Sequence, residues 1–309
     1  MNAHTGTDSS SGTSTGTSMT TDSKAGTVTG STTGRTRGRT RGRTTGRKGD
    51  TATKATAVAV ASPPGFREAL AFEWTKYAGL RSTVWTTVSV ALVTMVGAVF
   101  VGLTDSLQPD DTVLGGSLTL SVVALMIAGV VGALTVCGEY SSGSIATTLA
   151  AVPRRGRVLA AKAVLLAGVL FVVGLVSCTV AYLLGDAVLD GSHTQGEPLP
   201  ALFGIGALFA VVGVLGLAIG TVVRHAAGAV TAVVGFLLLP SLFGPLLGDL
   251  QRWVVGATPT AALEKLTQTS DAGPEVVGSL GAWPSLALVT AYTAVAAAGA
   301  ALVLRRRDA

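Results

Sequence analysis

Residues 118–137 read LTLSVVALMIAGVVGALTVC, a run with no Lys, Arg, Asp, Glu or His. At about 1.5 Å of rise per residue, a helix of this length covers the roughly 30 Å hydrocarbon core of a bilayer. Lipid offers no partners to backbone N–H and C=O groups, so the run must satisfy them within itself, as an α-helix does. Residues 84–103, 163–184, 201–223, 228–247 and 285–304 have the same uncharged, apolar character. The expected fold is therefore an all-α integral membrane protein with six transmembrane helices over residues 84–309. Composition agrees, since 13% charged residues is about half the usual soluble share of roughly 25%. Run 228–247 holds Pro240 and Pro245, which should kink or break its outer half.

Positive charge between the runs alternates. The segments before the first run, 138–162, the turn at Arg224 and the C-terminal RRR hold twenty Lys and Arg, whereas 104–117, 185–200 and 248–284 hold two. Loops rich in Lys and Arg stay on the cytoplasmic side, which places both termini there. A wrong number of runs would destroy the alternation, so it supports six independently of hydropathy.

Net charge reads differently once it is divided. Before Pro63 there are nine basic and three acidic residues; after it the chain is almost neutral. The basicity belongs to the tail, so it gives no sign of a nucleic-acid-binding fold. Residues 1–62, rich in Thr, Ser, Gly and Arg, lack the apolar side chains that would offset ordering, and are expected to be a disordered cytoplasmic tail. The repeat GRTRGRTRGRTTGRK at 34–48 has two readings: a solvated extension, or a segment drawn to anionic lipid or nucleic acid. The apolar stretch 57–61 is shorter than a signal-peptide core of about 7 to 15 residues, so no secretory signal is expected. Cys137 and Cys178 lie inside apolar runs, which leaves neither a disulfide framework nor a metal site to expect.

The runs carry no ionisable side chain of the kind that proton-coupled carriers keep at mid-membrane. No Gly-Lys dipeptide occurs, so a GxxxxGK[ST] phosphate loop is excluded. A motor, if the chain has one, is therefore another polypeptide. GLAIG at 216–220 offers a small-xxx-small face, either for packing within the chain or for dimerisation. Trp74, Trp85, Trp253 and Trp283 fall near run ends, where an indole anchors at the membrane interface.

On the basic side, FREALAFEWTKYAGLR at 66–81 sets Phe66, Leu70, Trp74 and Tyr77 at helical spacing on one side. Region 63–83 is expected to be an amphipathic helix in the headgroup plane, the alternative being a simple extension of the first span. Segment 138–162 reads GEYSSGSIATTLAAVPRRGRVLAAK. Ser141, Ser142 and Ser144 can cap a short helix that Pro153 ends, and such a helix between two spans can transmit force. The plainer reading is a polar loop whose arginines fix topology.

These two segments, together with six runs and a basic terminus, resemble the permease subunits of type 2 ABC transporters, above all bacterial ones of the drug, bacteriocin-immunity and cell-surface export kind. The resemblance covers 66–309 and is strongest at 138–162. It implies that the first segment is a connecting helix and the second a coupling helix docking into an ATP-binding-cassette ATPase subunit. Glu139, Tyr140, Gly143, Ser144 and Ile145 would then transmit force, with Arg154 and Arg155 beside them; members often have Thr where this chain has Ser144. It also implies a partly re-entrant external segment at 248–284, a bacterial plasma-membrane location, and a homodimer or heterodimer of permease chains. This chain would hold no cofactor and perform no catalysis, ATP and Mg being bound by the partner. Expected transport is ATP-driven export. An ATP-independent channel or a non-transporting scaffold are the rival readings, and a membrane-embedded enzyme is the weakest, because no histidine stands with a carboxylate at ligand spacing on a helix face.

Overall fold

The computed structural model describes residues 65–104, 107, 111–143, 155–188, 193–269 and 273–307. The expected disordered tail and the expected short helix after Ser144 lie outside them. Every element among the described residues is helical: α1 (Phe66–Gly79), α2 (Arg81–Thr104), α3 (Val113–Ser117), α4 (Ser121–Ser141), α5 (Arg155–Val188), α6 (Pro198–Val223), α7 (Ala226–Phe243), α8 (Gln251–Val254), α9 (Pro259–Thr267), α10 (Pro274–Val277) and α11 (Ala282–Arg307). Six helices are long and apolar enough to cross a membrane, and their positions match the six apolar runs.

The most enclosed of these is α6, which packs against α4, α5 and α11. Glycine makes the approach to α4 possible. A Cβ on Gly132 would stand 1.9 Å from the Gly213 carbonyl oxygen, and one on Gly216 would stand 1.9 Å from that of Gly129. One on Gly220 would stand 2.7 Å from the Ala133 carbonyl oxygen, and the Cys137 thiol donates to the Gly220 carbonyl at 3.6 Å. The small-residue face at 216–220 is thus spent on packing within the chain. Around it, Phe209, Leu125, Leu170, Leu208 and Ile205 form the centre of one buried apolar cluster.

Leu80, in extended conformation, separates α1 from α2, so the first segment is a helix of its own rather than an extension of the span. α7 runs through Pro240, and regular α-geometry gives way at Gly244–Leu250, a 3-10 segment with Pro245 in its first turn and Gly248 at φ 53°. Segment 248–284 then packs onto the bundle: α9 is capped by Thr258, whose hydroxyl accepts from Ala261 N–H at 3.1 Å, and buries Ala262, Leu263 and Leu266 in the core it shares with α6 and α11, while Ala261 packs with Val255 and Val277.

The two ends of the bundle differ. At one, Val113 N–H donates to the Thr194 carbonyl at 2.9 Å and Glu197 N–H donates to Gln268 Oε1 at 3.1 Å, joining the three base-poor segments. At the other, Lys76, Lys162, Arg224 and Arg305 all lie against neighbouring helix ends. The four tryptophans are exposed.

Candidate functional site

The site grows from the inward face of α1. The expected stripe of Phe66, Leu70, Trp74 and Tyr77 is split by the fold: Phe66 and Trp74 are exposed, while Leu70 and Tyr77 are half-buried. Ala69 and Glu73, one helical turn apart, face the bundle instead. A carboxylate only 3% exposed requires a partner, because removing an ion from water costs several kcal/mol. Glu73 finds it in Lys162 near the start of α5, whose ammonium donates to Glu73 Oε2 at 2.5 Å. The same ammonium donates to Glu139 Oε1, on the last turns of α4, at 2.8 Å. Lys76 also donates to Glu139 Oε1, and its Nζ lies 3.7 Å from Glu73 Oε1. Two carboxylates and two ammonium groups thus form a closed, charge-balanced cluster that ties three helices at one point.

Its surroundings hold it in place. The Lys76 ammonium lies 5.3 Å from the Phe72 ring centroid, within cation–π range. The Thr87 hydroxyl donates to the Thr83 carbonyl at 2.8 Å, which leaves Thr87 Oγ1 to accept from the Tyr77 hydroxyl at 2.5 Å. Burial raises the Tyr77 phenol pKa, opposed by that bond, so Tyr77 remains a neutral donor stitching α1 to α2. A cavity of about 210 Å³ opens beside the cluster, lined by Tyr77, Glu139, Lys162, Leu134 and Leu166 among others. That volume holds several waters, each needing at least roughly 10–15 Å³.

The adjacent residue faces elsewhere. Tyr140 lies under the Arg224 guanidinium, 4.9 Å from ring centroid to Cζ, which joins the end of α4 to the turn between α6 and α7. Arg224 itself holds a left-handed conformation there, φ 60°. Ser141 and Ser142 hydroxyls donate back to the Gly138 carbonyl at 3.0 and 2.8 Å, closing the last turn of α4. Gly143, exposed at φ 68°, follows the end of α4 in a backbone conformation that glycine tolerates best.

Of the residues expected to transmit force, Glu139, Tyr140 and Gly143 thus share one helix end, and Arg155 opens α5. Ser144, Ile145 and Arg154 lie outside the described residues. Sequence reasoning passed over Glu73, Lys76 and Lys162. Only Glu73 carried a signal, its sign: it is an acid on the side where lysine and arginine collect. No group of three or more His, Cys, Asp or Glu among the described residues is placed to hold a metal ion.

A family model described as "ABC-2 family transporter protein" matches residues 44–309 of the chain. No curated protein and no solved structure matches it.

Proposed function

We propose, since the chain belongs to the ABC-2 transporter family as its membrane-spanning permease, that it forms the translocation pathway of an ATP-driven exporter. Two permease chains and two ATP-binding-cassette subunits make the working machine in a bacterial plasma membrane, with both termini cytoplasmic. The partner binds and hydrolyses MgATP; this chain carries the force.

One observation supports the reading above the others. Glu139 and Lys162 border segment 144–154 from its two sides and bond to each other, while both bond to α1. A partner that pushes on this segment displaces the end of α4 and the start of α5 together. Glu73 and Lys76 bring α1 with them, and Tyr140 brings the turn that starts α7 through Arg224. A bonded cluster of balanced charge moves as a unit, because separating its members exposes buried ions to an apolar surrounding. The spans then exchange between inward and outward openings.

The test is reconstitution with the cognate ATPase. Glu139→Ala removes the acceptor shared by two lysines, and Gly143→Pro fixes φ near −65° where the chain needs 68°. Gly143→Pro should assemble but lose transport-linked ATP turnover, and Glu139→Ala, which also loses stability, should show the same loss per assembled complex. Wild-type turnover in both defeats the coupling role, and solute flux in liposomes lacking the ATPase supports a channel instead.

A further inference from the structure

We propose that the groove between α5, α6 and α11 is a phospholipid site, holding an acyl chain of an anionic lipid along its floor and the lipid phosphate at Arg305. The inference concerns the lipid-facing exterior and does not depend on coupling to an ATPase.

The groove exists because its walls are small. Ala160 and Ala163 of α5, Ala218 of α6, and Ala297 and Ala301 of α11 leave a channel of about 180 Å³ where leucines would have closed it. Leu217 and Val214 complete an apolar floor. From Gly156 to Ala163 the groove runs about 10 Å into the span at the helical rise per residue. It is too narrow for a helix, whose diameter with side chains is about 10 Å or more, and suits one extended hydrocarbon chain.

Charge stands at its mouth. A Cβ on Gly156 would lie 3.1 Å from Arg305 Nη2, so the guanidinium rests over the first turn of α5 at the groove's polar end. Here α5 begins with Arg155 and Arg157, and α11 ends with Arg305, Arg306 and Arg307. Among the described residues no carboxylate pairs with Arg157, Arg305 or Arg306. The contrast with Lys76 and Lys162, each matched to Glu73 and Glu139, is direct. Positive charge that meets no carboxylate among the described residues, at the end of an apolar channel opening toward lipid, is complementary to a headgroup phosphate whose acyl chain continues from it. A soluble anion would use the arginine but leave the alanine-lined floor without a role.

Native mass spectrometry of the full chain in detergent tests this, with phosphatidylglycerol and phosphatidylcholine as probes. The wild type should retain phosphatidylglycerol in preference to phosphatidylcholine. Arg305→Gln should weaken that retention about tenfold, as loss of a charge-assisted hydrogen bond does. Ala160→Phe, at an exposed wall position, should weaken both lipids alike, and Arg306→Gln should have the smaller effect of the two arginine changes. Inorganic phosphate at millimolar concentration should leave lipid retention unchanged. Equal retention of the two lipids by the wild type, equal loss in Arg305→Gln and Arg306→Gln, no effect of Ala160→Phe, or displacement by inorganic phosphate would each overturn the proposal. All these positions lie at the protein surface or groove wall, and an unchanged melting temperature identifies variants that have kept the fold.

Discussion

Lys162 Nζ donates to Glu139 Oε1 at 2.8 Å, both side chains buried, and so ties the beginning of α5 to the end of α4 beneath α1. Loss of either partner leaves the remaining charges buried and unequal in number. Lys162→Met should destabilise the chain by about 3–5 kcal/mol, the usual penalty for orphaning a buried ion. Combining it with Glu139→Gln should recover part of that loss. Thermal unfolding in detergent of both single variants and the double variant gives the coupling, and strictly additive losses would show that the two groups act independently.

Glycines of the same sequence type should respond with opposite sign. At Gly132 and Gly216 a methyl group meets a backbone carbonyl at 1.9 Å, so Gly132→Ala and Gly216→Ala must push α4 and α6 apart and lower the melting temperature. Gly168, in the middle of α5, and Gly299, in α11, have no atom within 4 Å of a Cβ position. There alanine should be neutral or stabilise by up to about 1 kcal/mol through helix propensity. Equal effects at all four sites would contradict the close contact of α4 with α6.

Membrane sidedness follows from which residues share an end. With Cys137 and Cys178 replaced, a single cysteine at Leu199, exposed beside the base-poor loops, should react with an impermeant thiol reagent applied to intact cells. A cysteine at Arg306, at the base-rich end, should react only after permeabilisation. The reverse pattern would turn the protein over.

Lys265 of α9 donates to Ser285 Oγ at 3.1 Å, and burial holds its ammonium pKa below the usual value, with Glu264 opposing. The folded state thus binds this proton less tightly than the unfolded chain. Its contribution to stability therefore increases as pH rises through the lowered pKa toward the ordinary lysine value near 10.4. Relative to Lys265→Met, the wild type should gain melting temperature across that alkaline interval; a constant difference would remove the titration of Lys265 from the explanation.

Much of the molecule is legible before it is folded. The six spans match the apolar runs because bilayer thickness is a length, and length is written along the chain. A separate helix at 66–79 is one of two readings that the spacing leaves open, and the extended Leu80 decides it. The inward face of α1 is not written in the spacing. Aromatic spacing marks Phe66 and Trp74 for the bilayer surface and says nothing of the opposite side of α1, which presents Ala69 and Glu73 to the bundle; bilayer and protein both accept apolar side chains, and periodicity cannot tell them apart. A buried glutamate is recognisable only when its lysine is in view, and Glu73 and Lys162 stand 89 residues apart.

The sequence by itself determined how many helices cross, how long they are and which ends carry positive charge, because each depends on transfer of local side chains between water and lipid. Tertiary structure decided which charges meet. The contact of Gly132 with Gly213 and of Gly216 with Gly129 helps set the depth and rotation of α4 against α6. A buried ion pair requires an exact distance between separate helices, and only packing supplies it.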